Sequence, residues 1–463
     1  MSNTIEMAAP TPATGAAATA QNAGGRFKNN YFDGLPVTGL HKVVFFLIML
    51  AYFFEQLDNW NFGFIAPALM KSWNLSMAQI GHINFFYFIC MTLGGLVGGV
   101  ISDFIGRRKT FLMAIIIFSM SSLVNGWTDS FNLFVFSRGM TGFGVFCLMV
   151  CSQAYIAEMA PAESRGKWQG LVASVGFCAV PVIGIICRMV IPMSPEAWRY
   201  IFYFGGIGIL AFPVAYKYLL ESPRWLVTRC RVEEAEAVVK HITKKDIDLS
   251  DAAKTCVPRD KFWEVVTGMF HRKYIVRTLV LIAMFIFTTP ASFTVTVWTG
   301  TLLHAKGFDI KDSLMATTII QCGVPVGCYI AALVSDRGGR KIPIIIAWVI
   351  CGLVGAVFGH MDGYWELIAA GFVMTALVMA GGFMGFSYCA ESYPTRMRNT
   401  ATGLHNGLAR LAVAVAQPLI PIVFATYSFV GVFNAFAAMA ILPMIVIAFW
   451  GMRTGGKSLE SIE

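Results

Sequence analysis

Ser102-Asp103-Phe104-Ile105-Gly106-Arg107-Arg108-Lys109 sets an acid, a glycine and three consecutive cations between two long apolar runs. The pattern returns as Ser335-Asp336-Arg337-Gly338-Gly339-Arg340-Lys341. The offset that carries Asp103 onto Asp336 also carries Glu158 onto Glu391, Pro161 onto Pro394 and Arg165 onto Arg398. So many coincidences at one spacing indicate two homologous halves, each a multi-helix unit.

Composition says what kind of halves these are. Of 463 residues, 57% are hydrophobic and 13% charged, and the mean hydropathy is +0.65. Soluble domains are about 45–50% apolar and about 25% charged, so the chain reads as an all-α integral membrane protein whose solvent is the lipid bilayer. The net charge of +9 gathers in short loops between apolar runs, a distribution that the positive-inside rule explains without nucleic acid. The 11 cysteines include no Cys-x-x-Cys pair and mostly lie inside apolar runs, where they act as small packing residues. No metal site and no cofactor is expected. His304, His360 and His405 stand isolated, and no Gly-x-Ser-x-Gly elbow or phosphate loop is present, which argues against an enzyme.

In chain order, residues 1–40 read as a disordered cytoplasmic tail without a signal peptide, 41–226 as the first six-helix half and 227–274 as a cytoplasmic linker. Residues 275–452 form the second half and 453–463 a tail. The expected spans are 43–69, 80–101, 110–127, 131–155, 168–191 and 198–220, then 275–303, 314–334, 342–358, 365–389, 400–427 and 430–452. Within the linker, 232–242 has the pattern of an amphipathic helix. Cations crowd the loops after even-numbered spans, so the linker and both termini are placed in the cytoplasm.

Charges inside the spans are the functional candidates, because a carboxylate at the centre of a membrane helix costs about 2.5–3.5 kcal/mol on insertion scales. Glu55 and Asp58 share a face of the first span with Asn59 and Phe62. Arg138 in the fourth span is either a functional charge or the partner of an acid. Arg188, near the outer end of the fifth, either meets substrate or snorkels to the surface. In the eleventh, His405, Asn406 and Arg410 fall within one and a half turns, with Gln417 two turns on. Thr288, Ser292, Thr296 and Thr299 make a polar stripe that lines a cavity or bonds its own helix. Arginine suits a carboxylate, since its planar fork gives two parallel hydrogen bonds, so the expected substrate is an anion.

Twelve spans in two halves, with Asp-x-x-Gly-Arg-Arg-Lys after the second and Ser-Asp-Arg-x-Gly-Arg-Lys after the eighth, resemble the major facilitator superfamily. Glu221-Ser-Pro-Arg224, Glu158 with Arg165-Gly166, and Tyr393-Pro394-Thr395-Arg396-Met397-Arg398 are similar to the branch holding sugar porters, organic-ion transporters and aromatic-acid symporters. Glu55-Gln-Leu-Asp58 leading to Phe62-Gly63-Phe64-Ile65-Ala66-Pro67 resembles the first-helix signature of aromatic acid:proton symporters, which usually reads Asp-Gly-x-Asp. The resemblance implies a monomeric secondary transporter in a bacterial inner membrane, taking up a small organic anion, an aromatic or other carboxylic acid, with protons by alternating access. Sugar:proton symport, organic-ion or drug export, and a transporter-like receptor are the alternatives.

These readings assign roles. Asp58, with Glu55 behind it, is the expected proton site. Arg410 is the expected carboxylate clamp, flanked by Asn406 and Gln417, with Arg188 as the weaker candidate; the alternative is a permanent pair of Arg410 with Asp58 or Glu55. Phe62, Tyr87 and Trp298 are the expected apolar walls. Asp103, Arg107, Arg108, Glu158, Arg165, Asp336, Arg340, Glu391 and Arg398 form the expected inner gate. There Arg107 and Arg108 meet Glu158, and Arg340 meets Glu391, in pairs made when the inner side is closed.

Overall fold

The computed structural model describes residues 32, 37–244, 249, 262–334, 339–393 and 395–452. The terminal tails and much of the linker therefore lie outside the described residues, as do Asp336 and the side chains of Arg165 and Arg398.

Every regular element among the described residues is a helix. The first half comprises α1 (Gly39–Trp73), α2 (Met77–Ile105), α3 (Arg107–Trp127), α4 (Phe131–Met159), α5 (Ala162–Val190), α6 (Trp198–Gly206) and α7 (Ala211–Tyr218). The short α8 (Pro223–Thr228), α9 (Val232–Thr243) and α10 (Phe262–Met269) follow. The second half comprises α11 (Ile275–Ala305), α12 (Ile310–Gln321), α13 (Gly323–Val334), α14 (Lys341–His360), α15 (Tyr364–Glu391), α16 (Thr395–Ala416) and α17 (Leu419–Trp450).

Local chemistry sets these boundaries. Asn74 ends α1 in the left-handed region at φ 51°, and Ser76 opens α2 with a capping box, its hydroxyl accepting from Gln79 N at 3.3 Å while Gln79 Oε1 accepts from Ser76 N at 2.8 Å. Gly106, at φ +105°, makes the corner between α2 and α3.

Eleven described stretches are long and apolar enough to span a membrane by length and composition. Adding α16, whose Arg396, Arg398, His405, Asn406 and Arg410 make it the most polar, gives twelve. The eleventh span departs from the expected 400–427. Its helix starts at Thr395, breaks after Ala416 and resumes at Leu419, since Pro418 lacks an N–H and disfavours a helical residue before it. The resumed helix then turns at Ser428 (φ 59°, ψ −165°), which separates it from the twelfth span inside α17. The sixth span is likewise interrupted, by a 3₁₀ segment at Ile207–Leu210.

Packing follows the repeat. In the first half α4 packs on α2 and α3, and α1 on α5; in the second, α15 packs on α13 and α14, and α17 on α14. The halves meet where α1 faces α11, α2 faces α16, and α5 faces α12. We call the end carrying Arg107 the basic end and the opposite end distal. In the distal half of the interface, α1 and α11 touch backbone to backbone: a Cβ on Gly300 would lie 2.8 Å from the Gly63 carbonyl oxygen, and one on Gly63 3.1 Å from that of Val297. Two or three turns from the basic end, a Cβ on Gly170 of α5, Gly382 of α15 or Gly403 of α16 would meet nothing within 4 Å. At the level of Gly63 and Gly300 the two halves are thus in backbone contact.

Candidate functional site

Two charged clusters sit in the middle of the bundle. In the first half, Asp58 is fully buried and its Oδ1 accepts from Asn61 Nδ2 at 2.9 Å and Ser122 Oγ at 2.8 Å. Its Oδ2 faces Arg138 Nη1 at 3.4 Å. The Arg138 guanidinium lies among rings, 4.3 Å from the centroid of Tyr87, 5.2 Å from Phe62 and 5.8 Å from Phe202. Arg138 thus faces an acid in this structure. A charge buried this deeply needs such a partner, and here α1, α3 and α4 each supply part of the cluster.

The second cluster lies between the halves. The Arg410 guanidinium on α16 sits 4.9 Å from the centroid of Phe146 on α4 and 5.0 Å from that of Phe293 on α11. Phe293 is also nearly parallel to Trp60 of α1, with centroids 6.1 Å apart and planes at 10°, and edge-on to Phe88. Arg410 Nη1 is buried without a hydrogen-bond partner. So is Oε2 of Glu55, a residue 1% exposed. Arg410 makes no ion pair with Glu55 or Asp58, so the expected alternative of a permanent pair does not describe this structure. The Glu55 and Arg410 charges nevertheless lie within electrostatic range of one another, and Tyr52 and Tyr87 within range of both.

Several expected walls are placed otherwise. Phe62 and Tyr87 pack on Arg138, and the Tyr87 hydroxyl donates to Asn59 Oδ1 at 2.8 Å. Trp298 Nε1 donates to Gln417 Oε1 at 2.7 Å with both residues buried, so these two satisfy one another and tie α11 to the end of α16. Asn406 bonds the Thr402 carbonyl of its own helix at 3.1 Å. The stripe also bonds its own helix, as in Thr288 to Met284 O at 2.7 Å and Thr296 to Ser292 O at 2.9 Å. Position on a helical face shows which residues point together, but not which find a partner on a neighbouring helix. Arg188 is exposed and lines a distal crevice of about 380 Å³ with Met193 of its own half and Lys311, Asp312 and Met315 of the other.

At the basic end the repeated acids and arginines do pair. Arg107 forks onto Glu158 with two contacts of 3.0 Å and also holds Asp103 at 2.8 Å; in the second half Arg340 Nε meets Glu391 at 2.6 Å. Arg108 departs from expectation. It does not reach Glu158 but bonds the Tyr216 carbonyl at 2.5 Å and stacks over that tyrosine, because it starts α3 one residue on and points away from α4. Glu221 Oε1 accepts from the backbone N–H groups of Arg107, at 2.8 Å, and Arg108, at 3.1 Å, so it caps α3 from the segment that follows α7. Burial raises its pKa above the usual carboxylate range, against the pull of those donors. A Cβ on Gly106 would lie 2.3 Å from Glu221 Oε2, so this corner needs glycine twice, for φ and for space.

The family model for the Major Facilitator Superfamily matches residues 48–388. The chain belongs to the Major Facilitator Superfamily. It is thus a multi-pass membrane transporter and not an enzyme, and it takes the small-molecule substrates of that family. This major facilitator is 30% identical, over 93% of its length and 97% of the relative's, to "Inner membrane metabolite transport protein YdjE" of Escherichia coli (strain K12). It is 26% identical, over 93% and 98%, to "Niacin transporter NiaP" of Acinetobacter baylyi (strain ATCC 33305 / BD413 / ADP1). In fold it is similar to a crystal structure of a D-xylose-proton symporter, with TM-score 0.73 at 20% identity over 90% of this chain and 99% of that one.

The residues that sequence reasoning missed are Phe146, Phe293 and Trp60, aromatic side chains indistinguishable in an apolar run from lipid-facing bulk. Asn61, one turn from Asp58, was within reach of the same periodicity argument that found Asn59.

Proposed function

We propose that this major facilitator is a proton-coupled symporter that takes up a small organic anion, an aromatic carboxylate, by alternating access. The observation that carries the reading is Arg410. Its guanidinium is held between rings from both halves with Nη1 unbonded, so it offers an anion a preoriented fork against apolar walls. A neutral sugar would leave that charge uncompensated. Among the relatives, one is named for niacin, which is an aromatic acid.

Asp58 is the proton site in this reading. While ionised it holds Arg138; protonation removes the charge attraction and loosens the link between α1 and α4. Glu55 is the second carboxylate on the same face. With the basic end cytoplasmic, along with both termini, and the membrane a bacterial inner membrane, distal closure corresponds to the inward-facing state. Arg107–Glu158 and Arg340–Glu391 are formed in this structure. Each pair lies inside one half, so rocking of the halves does not separate it. Their role is to hold the helices of each half together as one body, with Asp103 joining Arg107 and Glu158 in the first. The working unit is a monomer.

The test is binding to purified protein. Arg410→Lys keeps the charge and loses the fork, and should weaken benzoate or nicotinate by roughly 10- to 100-fold, the worth of a charge-assisted hydrogen bond. Unchanged affinity, or a neutral sugar as the better ligand, removes the anion reading.

A further inference from the structure

Ser122 on α3 holds one hydroxyl proton between two acceptors. Its Oγ is fully buried and lies 2.8 Å from Asp58 Oδ1 of α1 and 3.0 Å from the Phe202 carbonyl oxygen of α6. A hydroxyl donates once but carries two lone pairs, so Ser122 serves only one of these acceptors at a time. While Asp58 is ionised, its oxygen takes the proton, because a hydrogen bond to a charged acceptor is roughly twice as strong as one between neutral groups.

Protonation of Asp58 reverses the demand, since a buried carboxyl proton needs an acceptor. The groups facing Asp58 are Arg138 of α4, with Tyr87 of α2 stacked on it, Asn61 of its own helix, Ser122, and the backbone of Phe202 and Gly205; Glu55 stands one turn before it on α1. Arg138, opposite Oδ2, has donors and no lone pair. Asn61 Nδ2 donates to Oδ1 at 2.9 Å; turning that amide over would offer its oxygen instead, but would leave the NH2 in a place where the present oxygen finds no partner. Water is excluded on the α6 side. A Cβ on Gly205 would lie 2.7 Å from Asp58 Oδ1 and 3.0 Å from Ser122 Oγ, so not even a methyl fits there. Ser122 alone has an acceptor waiting for the proton it gives up.

We infer that Ser122 is a positioning residue of the proton site, a reversible partner that donates to Asp58 when the acid is ionised and accepts from it when the acid is protonated. Gly205 supplies the close wall that keeps the two oxygens together. No proton crosses Ser122: the one that arrives stays on Asp58 Oδ1, and the serine proton only swings from that oxygen to the Phe202 carbonyl. The swing gives α6 a bond in the protonated state that it lacks in the ionised one, just before the 3₁₀ segment that interrupts the sixth span. The inference rests on the reading of Asp58 as the proton site and deepens it by naming what satisfies both of its charge states.

The experiment is infrared difference spectroscopy on acidification of the purified full-length protein in lipid vesicles. The carboxyl C=O band that is absent from Asp58→Asn, or displaced in Asp58→Glu should the first variant not fold, belongs to Asp58. In Ser122→Ala that band should move to higher wavenumber, because a carboxyl that has lost its hydrogen bond has the stiffer C=O. Ser122→Thr, which keeps the hydroxyl, should return it to the wild-type position. The pH of half-protonation gives a second reading. Asn61→Leu removes a donor from the ionised form alone and should raise that pH by about one unit or more. Ser122→Ala removes a bond from both forms, and should move it by less than about half a unit. An unmoved band, or a midpoint raised as far in Ser122→Ala as in Asn61→Leu, overturns the reversal while leaving Asp58 as the proton site. If substituting Asp58 neither removes nor displaces any carboxyl band, the proton site itself is wrong, and the role of Ser122 falls with it.

Discussion

Gly300→Ala is expected to shift the whole molecule towards opening at the distal end. The new Cβ would lie 2.8 Å from the Gly63 carbonyl oxygen, inside ordinary van der Waals contact, and the obstacle is backbone of α1 that cannot turn aside as a side chain can. Overpacking of this kind costs about 1–3 kcal/mol. The cost falls on the distally closed state and not on a state in which α1 and α11 have parted, so it enters the equilibrium between them in full. At 1.4 kcal/mol per tenfold, the closed population should fall roughly 5- to 150-fold relative to the open one. Spin labels at Met193 and Lys311, which face each other across the distal crevice from opposite halves, report the gap by pulsed electron paramagnetic resonance once reactive native cysteines are replaced. The distance distribution should lengthen in Gly300→Ala, whereas in Gly403→Ala, where the added Cβ meets nothing within 4 Å, it should match the wild type. A folded Gly300→Ala protein with an unaltered distribution would show that the contact does not limit closure.

Asp58→Asn should abolish accumulation of an aromatic acid driven by a pH gradient in proteoliposomes while counterflow exchange persists, and should also lower stability by about 3–5 kcal/mol because Arg138 loses its buried partner. Gradient-driven uptake at the wild-type level would remove Asp58 as the proton site. Glu221→Ala strips the cap from the first N–H groups of α3 and should cost about 1–3 kcal/mol, seen as a lower melting temperature in detergent; an unchanged melting temperature would mean that water replaces the carboxylate without loss.

The repeat at Asp103 and Asp336, the apolar runs and the sign of the loop charges were enough to determine the fold class, the two halves and the approximate spans, because hydrocarbon leaves a spanning backbone few options beyond the helix. Glu55, Asp58, Arg138 and Arg410 were visible for the same reason: a charge in a membrane segment is costly, and its position needs no coordinates to be noticed. What each charge does depended on neighbours that are remote in sequence. Asp58 is satisfied by Ser122 and Arg138 from two other helices, whereas Glu55, one turn away on the same face, is left open. Periodicity places both on one stripe and cannot separate them. Trp298 and Gln417 bond each other across 119 positions of chain, and Arg108 turns from Glu158 to Tyr216, since partner choice follows the register of helix against helix. The rings around Arg410 come from α4 and α11, one from each half, and only their packing distinguishes them from the many other aromatic residues that face lipid or core.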